Sequence, residues 1–238
     1  MSKVTYDTGE YRLTINDDQV SNALGELRSK TNAVLKVAIN RTARQARKDV
    51  IAESLERYDL TAKGKEKAKQ LRMRRLATNA VLMAELRQSD KGLPLDFAYF
   101  RHVPTTVFKG GAVKHAPQYV QGRVLKSQAM HDLTEEAGRS KGFLVEFMNK
   151  RSDGTENNHI GMVQRVIGSR AEHDETRRGY RRWKPNEKLL TMARPGGSGM
   201  GRAVWELGVE DWAAENLMNQ TARRLQEVIE KSRSRSRK

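Results

Sequence analysis

The sequence predicts an α+β fold: a long N-terminal helix packed on a small antiparallel β-sheet, with a second helix towards the C-terminus. Apolar residues recur at three- and four-residue steps from Val20 to about Tyr58, which is the spacing of one helix face. Two alternating apolar runs flank a turn-forming connector within Gly142–Ile167, which is typical of a β-hairpin. A second helical stripe runs through Trp205–Ile229.

Composition narrows the class of protein. Of the 238 residues, 37% are hydrophobic and 31% charged, which predicts a thin core completed by extended helices or by partner subunits. We expect an α+β domain over 1–195, a C-terminal helix over 202–230 and a disordered basic tail over 231–238. Cysteine is absent, which excludes disulfides and thiolate metal sites. No apolar run reaches the length of a membrane span and no signal-peptide core begins the chain, so we expect no membrane contact and synthesis in the cytoplasm.

The N-terminal elements follow from local signals. Val4–Ile15 alternates loosely and is predicted as one strand, and Asn16-Asp17-Asp18 is a helix start signal. The long helix follows. Its inner face is expected to contain Leu24, Leu27, Thr31, Val34, Ala38, Thr42 and Ala46.

The middle of the chain is predicted to be mixed. Thr61–Leu76 continues as a very basic, helix-like segment, and Ala80–Gln88 alternates as a strand. Leu93–Thr106 is interrupted by prolines and is interpreted as a loop and a strand edge. Tyr119–Lys126 is a short strand, and His131–Ser140 is interpreted as a single helical turn.

The hairpin is the clearest element. Phe143–Met148 and Ile160–Ile167 are its strands, joined by a polar connector with an Asp153-Gly154 turn signal. Its predicted core residues are Phe143, Val145, Phe147, Ile160, Met162 and Val166. After the hairpin, Pro195 and the glycines up to Gly201 are interpreted as a flexible break before the final helix.

The net charge of +16 lies mainly in three segments: +7 in Arg41–Arg75, +6 in Thr176–Arg194 and +5 in Lys231–Lys238. Charge concentrated in this way suggests contact with a polyanion, either nucleic acid or an acidic protein surface. The alternative is that each segment is a solvated helix face or tail. The candidate polyanion-facing residues are Lys67, Arg72, Arg74, Arg75, Arg177, Arg178, Arg181, Arg182 and Lys184.

Catalytic signals are weak. The five histidines are scattered without paired ligand spacing, and His173-Asp174-Glu175 is three adjacent residues that point in different directions. The GGSGMG run at 196–201 lacks the Gly-Lys-Ser/Thr ending of a phosphate-binding loop. We therefore expect no enzyme, no cofactor, no metal and no catalytic residue.

Several short motifs resemble those of the phage minor tail protein Z family, the tail completion proteins of long-tailed bacteriophages. GFLVEFMNK at 142–150 and HIGMVQR at 159–165 match the signature hairpin of that family, and AINRTA at 38–43 matches its helix. A weaker match is LPL at 93–95, followed by Phe97 and Val103-Pro104. After Ile167 the chain departs from the family, because an arginine-rich insertion and RPGGS at 194–198 replace its usual segments.

The resemblance implies a structural virion protein: a minor tail or tail completion component at the head-proximal end, acting in tail assembly and head–tail joining. It implies a sixfold homo-oligomeric ring that contacts the tail tube, the tail terminator or the tape measure protein. In such a particle, we expect the basic segments to face a polyanion, either the end of the packaged DNA or an acidic ring. The expected location is the virion tail or neck, and the host cytoplasm during assembly. The alternative from composition is a basic, sequence-nonspecific nucleic-acid-binding protein.

Overall fold

The computed structural model has the predicted α+β class, with a long N-terminal helix, small antiparallel sheets and a C-terminal helix. The contacts within the chain form two compact units. The first unit contains residues 1–55, 66–93 and 195–238, and the second contains 56–65 and 94–194. The structure describes residues 3–7, 10–14, 30–89, 94–107, 119–133, 137–147, 154, 159–168 and 188–235.

The first unit contains a four-stranded antiparallel sheet. Its strands are β1 (Lys3–Asp7), β2 (Glu10–Thr14), β3 (Leu71–Arg75) and β4 (Met83–Gln88). Their order across the sheet is β1-β2-β4-β3. Asp7 pairs with Glu10, so the chain reverses between them and the single strand predicted over 4–15 is two strands.

The prediction that Thr61–Leu76 is helical throughout is wrong. Helix α2 covers only Ala62–Ala68, and β3 begins at Leu71. The LRMRR sequence of β3 alternates apolar and basic residues, and pairing with β4 uses that period of two to bury Leu71 and to expose Arg72 and Arg74. Tertiary pairing thus outweighs the helix propensity of the segment.

Helix α1 (Thr31–Arg57) confirms the predicted stripe over the part of it that is described. Its buried residues recur every three or four positions, and many are small, which lets neighbouring backbone approach closely. Residues 15–29, including the predicted helix start, lie outside the described residues. The buried residues are Thr31, Val34, Leu35, Ala38, Ile39, Thr42, Ala43, Ala46, Val50 and Ser54.

Three polar side chains of α1 bind the backbone of the segment that contains β3. Asn40 donates from Nδ2 to the Ala77 carbonyl at 3.0 Å and accepts from the Ala77 N–H at 2.8 Å. Asn32 donates to the carbonyl of Asn79, and Arg47 donates to that of Leu71 at 2.6 Å. The helix therefore fixes this segment through backbone hydrogen bonds as well as through apolar packing.

The C-terminal part of the first unit contains helix α3 (Gly197–Val204), a π-helical turn (Trp205–Val209) and helix α4 (Glu210–Arg235). The prediction of a flexible break at 195–201 is wrong, because the glycine run begins α3. Met200 and Trp205 are buried there, and their burial offsets the entropy cost of helical glycine. Gly208 has a φ of 147° at the kink between the helices, a value that side chains strongly disfavour.

Helix α4 extends beyond the predicted end of the C-terminal helix. Residues 231–235, predicted to be disordered, are helical, and 236–238 lie outside the described residues. Lysine and arginine are good helix formers, and positive charge is favourable near the C-terminal end of a helix.

The second unit begins with very short strands. They are β5 (Leu95–Asp96), β6 (His102–Val103), β7 (Gln121–Gly122) and β8 (His131–Asp132), and a further one, β12 (Ala193–Arg194), lies near the end of the unit. A 3₁₀ turn (Phe97–Tyr99) follows β5. The helical turn predicted over 131–140 is wrong at its start, where β8 is a strand, and 134–136 lie outside the described residues.

The second unit confirms the predicted hairpin. Strands β9 (Phe143–Phe147) and β10 (His159–Arg165) pair antiparallel, and β11 (Leu189–Thr191) adds to the other edge of β10. Met162 is fully buried opposite Leu144, and Phe143 is buried opposite Val163. Val145, Phe147 and Val166 are half-buried.

Ile160 is the exception among the predicted core residues, because it is 39% exposed. It pairs with Glu146, and directly paired residues point to the same side of a sheet. Glu146 is exposed as well, so this position of the hairpin lies at a solvent-facing part of the sheet. The assignment of Ile160 to the core is wrong.

Candidate polyanion-binding surfaces

The predicted polyanion-facing residues divide into two sets. Lys67, Arg72, Arg74 and Arg75 are described and belong to the first unit. The second set lies outside the described residues: Arg177, Arg178, Arg181, Arg182 and Lys184.

Arg72 and Arg74 line an open pocket of about 500 Å³ along the edge strand β3, together with Met73, Arg87 and Ser89. We call these five residues the β3 surface. Arg72 pairs directly with Arg87 across the sheet, so two guanidinium-bearing residues lie side by side on one face. Like charges opposite each other destabilise a sheet, and Arg87 is also paired on its other side with Glu10 of β2.

A carboxylate offsets part of this charge. Arg74 Nη1 lies 3.9 Å from Oε2 of the buried Glu85. The β3 surface remains a basic surface on a strand edge, since the pocket is lined by three arginines and by no carboxylate of a described residue. Charged edge strands also prevent edge-to-edge aggregation, so the same residues have a protective role without any ligand.

Arg75 and Lys67 do not line this pocket. Arg75 follows a β-bulge after Met73 and pairs with Glu85. Lys67 is half-buried, and its carbonyl accepts hydrogen bonds from the Gln88 side chain and the Gln70 N–H. The structure thus brings two of the four described candidates together and adds Arg87. The position of Arg87 in the alternating strand 80–88 indicated that its side chain is exposed. The sequence did not indicate that it pairs with Arg72.

A second basic groove was not predicted. It has a volume of about 480 Å³ and lies between α1 and α4. The stripe from α1 has the spacing i, i+3, i+7 within the basic segment 41–75, a signal that the sequence contains. The lining residues are Arg41, Arg44, Gln45, Lys48, Trp212, Asn216 and Gln220.

In the second unit, burial raises the pKa of the Asp96 carboxyl group. Asp96 caps the 3₁₀ turn by accepting from the Ala98 N–H at 2.8 Å, and the same Oδ1 accepts from the Met162 N–H at 2.9 Å. Burial raises the pKa of Asp96 above its ordinary value of 3.8, while these hydrogen bonds and the charges of His159 and His102 oppose the rise. Its two bonds join the turn to β10, which gives Asp96 a structural role.

Within the described part of the chain, no three histidine, aspartate or glutamate side chains are grouped so that they could hold a metal ion. No described helix combines the length and the apolar character that crossing a bilayer requires. Comparisons with protein-family models, with curated proteins and with solved structures find no match to this chain.

Proposed function

We propose that this protein is a structural component of a phage virion, a minor tail or tail completion protein at the head-proximal end of the tail. The observation that carries the proposal is the resemblance of the hairpin sequence, 142–150 with 159–165, to the minor tail protein Z family. Support comes from the pairing of these two segments as β9 and β10. The role is assembly and head–tail joining, without catalysis.

The AINRTA motif at 38–43 supports the same proposal, because its described positions have distinct tasks. Ala38, Ile39, Thr42 and Ala43 are buried in α1, and Asn40 makes both hydrogen bonds to Ala77. Asn40 therefore acts as the clamp between α1 and the segment after β3.

The proposed assembly is a homo-oligomeric ring of sixfold symmetry that contacts the tail tube, the tail terminator or the tape measure protein. The low apolar content and exposed apolar side chains such as Leu207 and Met218, which are 64% and 60% exposed, favour burial against further subunits. Native mass spectrometry of the purified chain and of tails should show a hexamer. A monomer at every concentration, together with absence from purified tails, would reject the ring.

Deletion of the coding sequence from the genome that carries it tests the proposed class of protein. We expect DNA-filled heads and tails that fail to join, or joined particles that do not infect. Complementation with the intact gene should restore infectivity, and mass spectrometry should find the chain in purified tails. Normal, infectious particles formed without the protein would exclude the proposal.

We further propose that Lys67, Arg72, Arg74 and Arg75, together with the arginines of 177–182 and Lys184, face a polyanion, with the end of the packaged DNA as the favoured one. Replacing the four described residues by serine should weaken DNA retention while tails still assemble. The five residues in 177–184, changed to serine as a second variant, should act in the same way. Unchanged DNA retention in both variants would leave only a solubilising role for these charges.

The alternative is a basic, sequence-nonspecific nucleic-acid-binding protein outside the virion. The adjacent Arg72 and Arg87 favour it, because phosphate contact needs no base recognition. Finding the chain in the cell, bound to duplex DNA and missing from purified particles, would select this alternative.

A further inference from the structure

The groove between α1 and α4 presents a regular line of positive charge. Arg41, Arg44 and Lys48 are exposed and lie on one stripe of α1, displaced along the axis by about 4.5 and 10.5 Å from the first residue. Trp212, Asn216 and Gln220 follow each other at four-residue steps on α4 and form the other wall. Three cationic residues line the groove, and no carboxylate of a described residue does.

The hydrogen-bonding groups of the groove are mainly donors. Arginine, lysine and the indole N–H can only donate. Thr42 Oγ1 donates to Asn216 Oδ1 at 3.2 Å, which leaves the amide nitrogen of Asn216 as its donor. Gln45 donates one N–H of its Nε2 to Asp49 at 2.8 Å, which leaves its second N–H as a donor and its carbonyl oxygen as an acceptor. A complementary ligand must therefore be an anion rich in hydrogen-bond acceptors.

Trp212 indicates which anion fits best. Its side chain is partly exposed in the groove, whereas Trp205 is 1% exposed in the core of the same unit. An aromatic ring beside cations is the combination with which proteins bind single strands, since bases stack on the ring while phosphates meet the cations. A carboxylate-bearing peptide satisfies the cations equally well but makes no comparable use of the ring.

We propose that the α1/α4 groove binds single-stranded nucleic acid, with phosphates on Arg41, Arg44 and Lys48 and one base against Trp212. The volume of about 480 Å³ is within the range of sites for small ligands, so it holds about one nucleotide and the strand continues beyond it. This site is separate from the β3 surface and does not depend on the proposed tail function.

One carboxylate near the groove is already engaged. The pKa of Glu227 on α4 is lowered, first by its hydrogen bond from Arg224 and then by the charges of Arg224, Arg223 and Arg41. Because Glu227 has these arginine partners, replacing Arg41 does not leave it without a cation. We therefore expect the variants proposed next to fold like the parent.

Binding of a fluorescein-labelled oligothymidylate of about 20 nucleotides, measured by anisotropy over a series of salt concentrations, tests the site. In the triple variant R41S/R44S/K48S, the log–log salt slope should become shallower by about 2, because three phosphate contacts are lost. The matched control K63S/K65S/R101S removes the same charge from exposed positions of the second unit and should change the slope much less.

The ring is tested separately from the charge. Trp212→Leu should weaken oligothymidylate binding about fivefold or more, and Trp212→Phe should retain most of it. Tyr119→Leu changes an exposed aromatic residue of the second unit in the same way and serves as the matched control. Circular dichroism of each variant confirms that the helices are intact.

The proposal is overturned if the triple variant binds the oligonucleotide with the affinity and salt slope of the parent. It is also overturned if poly-glutamate displaces the oligonucleotide at equal charge concentration and Trp212→Leu has no effect, because the groove then takes an acidic protein segment. These measurements use the purified chain, so failure of the tail proposal in the deletion experiment leaves their outcome unaffected.

Discussion

The two compact units are stabilised in different ways. The first unit has long helices, and one of them, α1, buries a continuous face of apolar and small residues, to which Asn40 adds two hydrogen bonds to Ala77. The second unit has strands of two to seven residues, which are joined by polar side chains that bind backbone groups or each other. Asp96 connects the 3₁₀ turn to β10, and Arg123 bonds Asp59 at 2.6 Å. The long helix α1 buries a continuous apolar face of its own, whereas strands of two or three residues bury little surface and depend on side chains from distant parts of the chain.

The largest expected effect tests the apolar face of the first unit. Leu35 is fully buried in α1, so Leu35→Ala should destabilise the protein by about 4 kcal/mol through lost burial and a residual cavity. Urea denaturation measures this change, with exposed Glu53→Ala as the control on the same helix. Equal midpoints for the two variants would contradict the packing described for α1.

In the hairpin of the second unit, the loss of stability on substitution by alanine should follow the burial of the side chain. Phe143 is 5% exposed, and Phe143→Ala should cost about 3 kcal/mol. Phe147 is only half-buried and stacks on His159 at a centroid distance of 5.1 Å, so Phe147→Ala should cost less, about 1–2 kcal/mol. Thermal denaturation of both variants gives the order, and a larger loss at Phe147 would be inconsistent with this burial.

Asn40 tests whether a polar clamp matters in the first unit too. Asn40→Ala removes both hydrogen bonds to Ala77, whose backbone is buried, and should cost about 2 kcal/mol. Hydrogen exchange of the Ala77 N–H should accelerate in this variant. Asn32, whose bond to Asn79 is exposed, provides the comparison, since Asn32→Ala should have little effect. Similar losses at both positions would argue against a special role for Asn40.

Asp96 gives the smallest and most pH-dependent effect. Burial raises its pKa in the folded protein, so the native state binds this proton more tightly than the unfolded chain. The parent therefore becomes more stable as the pH falls from the folded-state pKa of Asp96 towards the ordinary pKa of an aspartate. Above the folded-state pKa, the buried carboxylate is charged and destabilises the protein. Asp96→Asn keeps an oxygen for Ala98 and Met162 and removes the charge.

Urea denaturation at several pH values checks this prediction. Asp96→Asn should be at least as stable as the parent at pH 7, and its advantage should shrink on acidification. Asp96→Ala is the control that loses both hydrogen bonds, and it should be less stable by about 1–2 kcal/mol. A deficit of Asp96→Asn that stays constant with pH would mean that hydrogen-bond geometry, and not charge, decides the effect.

The sequence by itself determined the elements that repeat locally. The stripe of α1 and the alternating strands β9 and β10 were predictable because a helical or extended period is written into neighbouring residues. The α+β class followed from those elements. Among the described candidate cations, Arg72 and Arg74 are exposed, as their charge predicts.

Only the tertiary structure decided features that depend on distant partners. LRMRR at 71–75 became a strand because β4 pairs with it, and the glycine run at 197–201 became a helix because Met200 and Trp205 are buried there. Ile160 is exposed because its cross-strand partner lies on a solvent-facing part of the sheet. The groove formed because folding places Trp212 beside cations more than 160 positions earlier in the chain. Periodicity describes one element at a time, so it does not specify which elements meet.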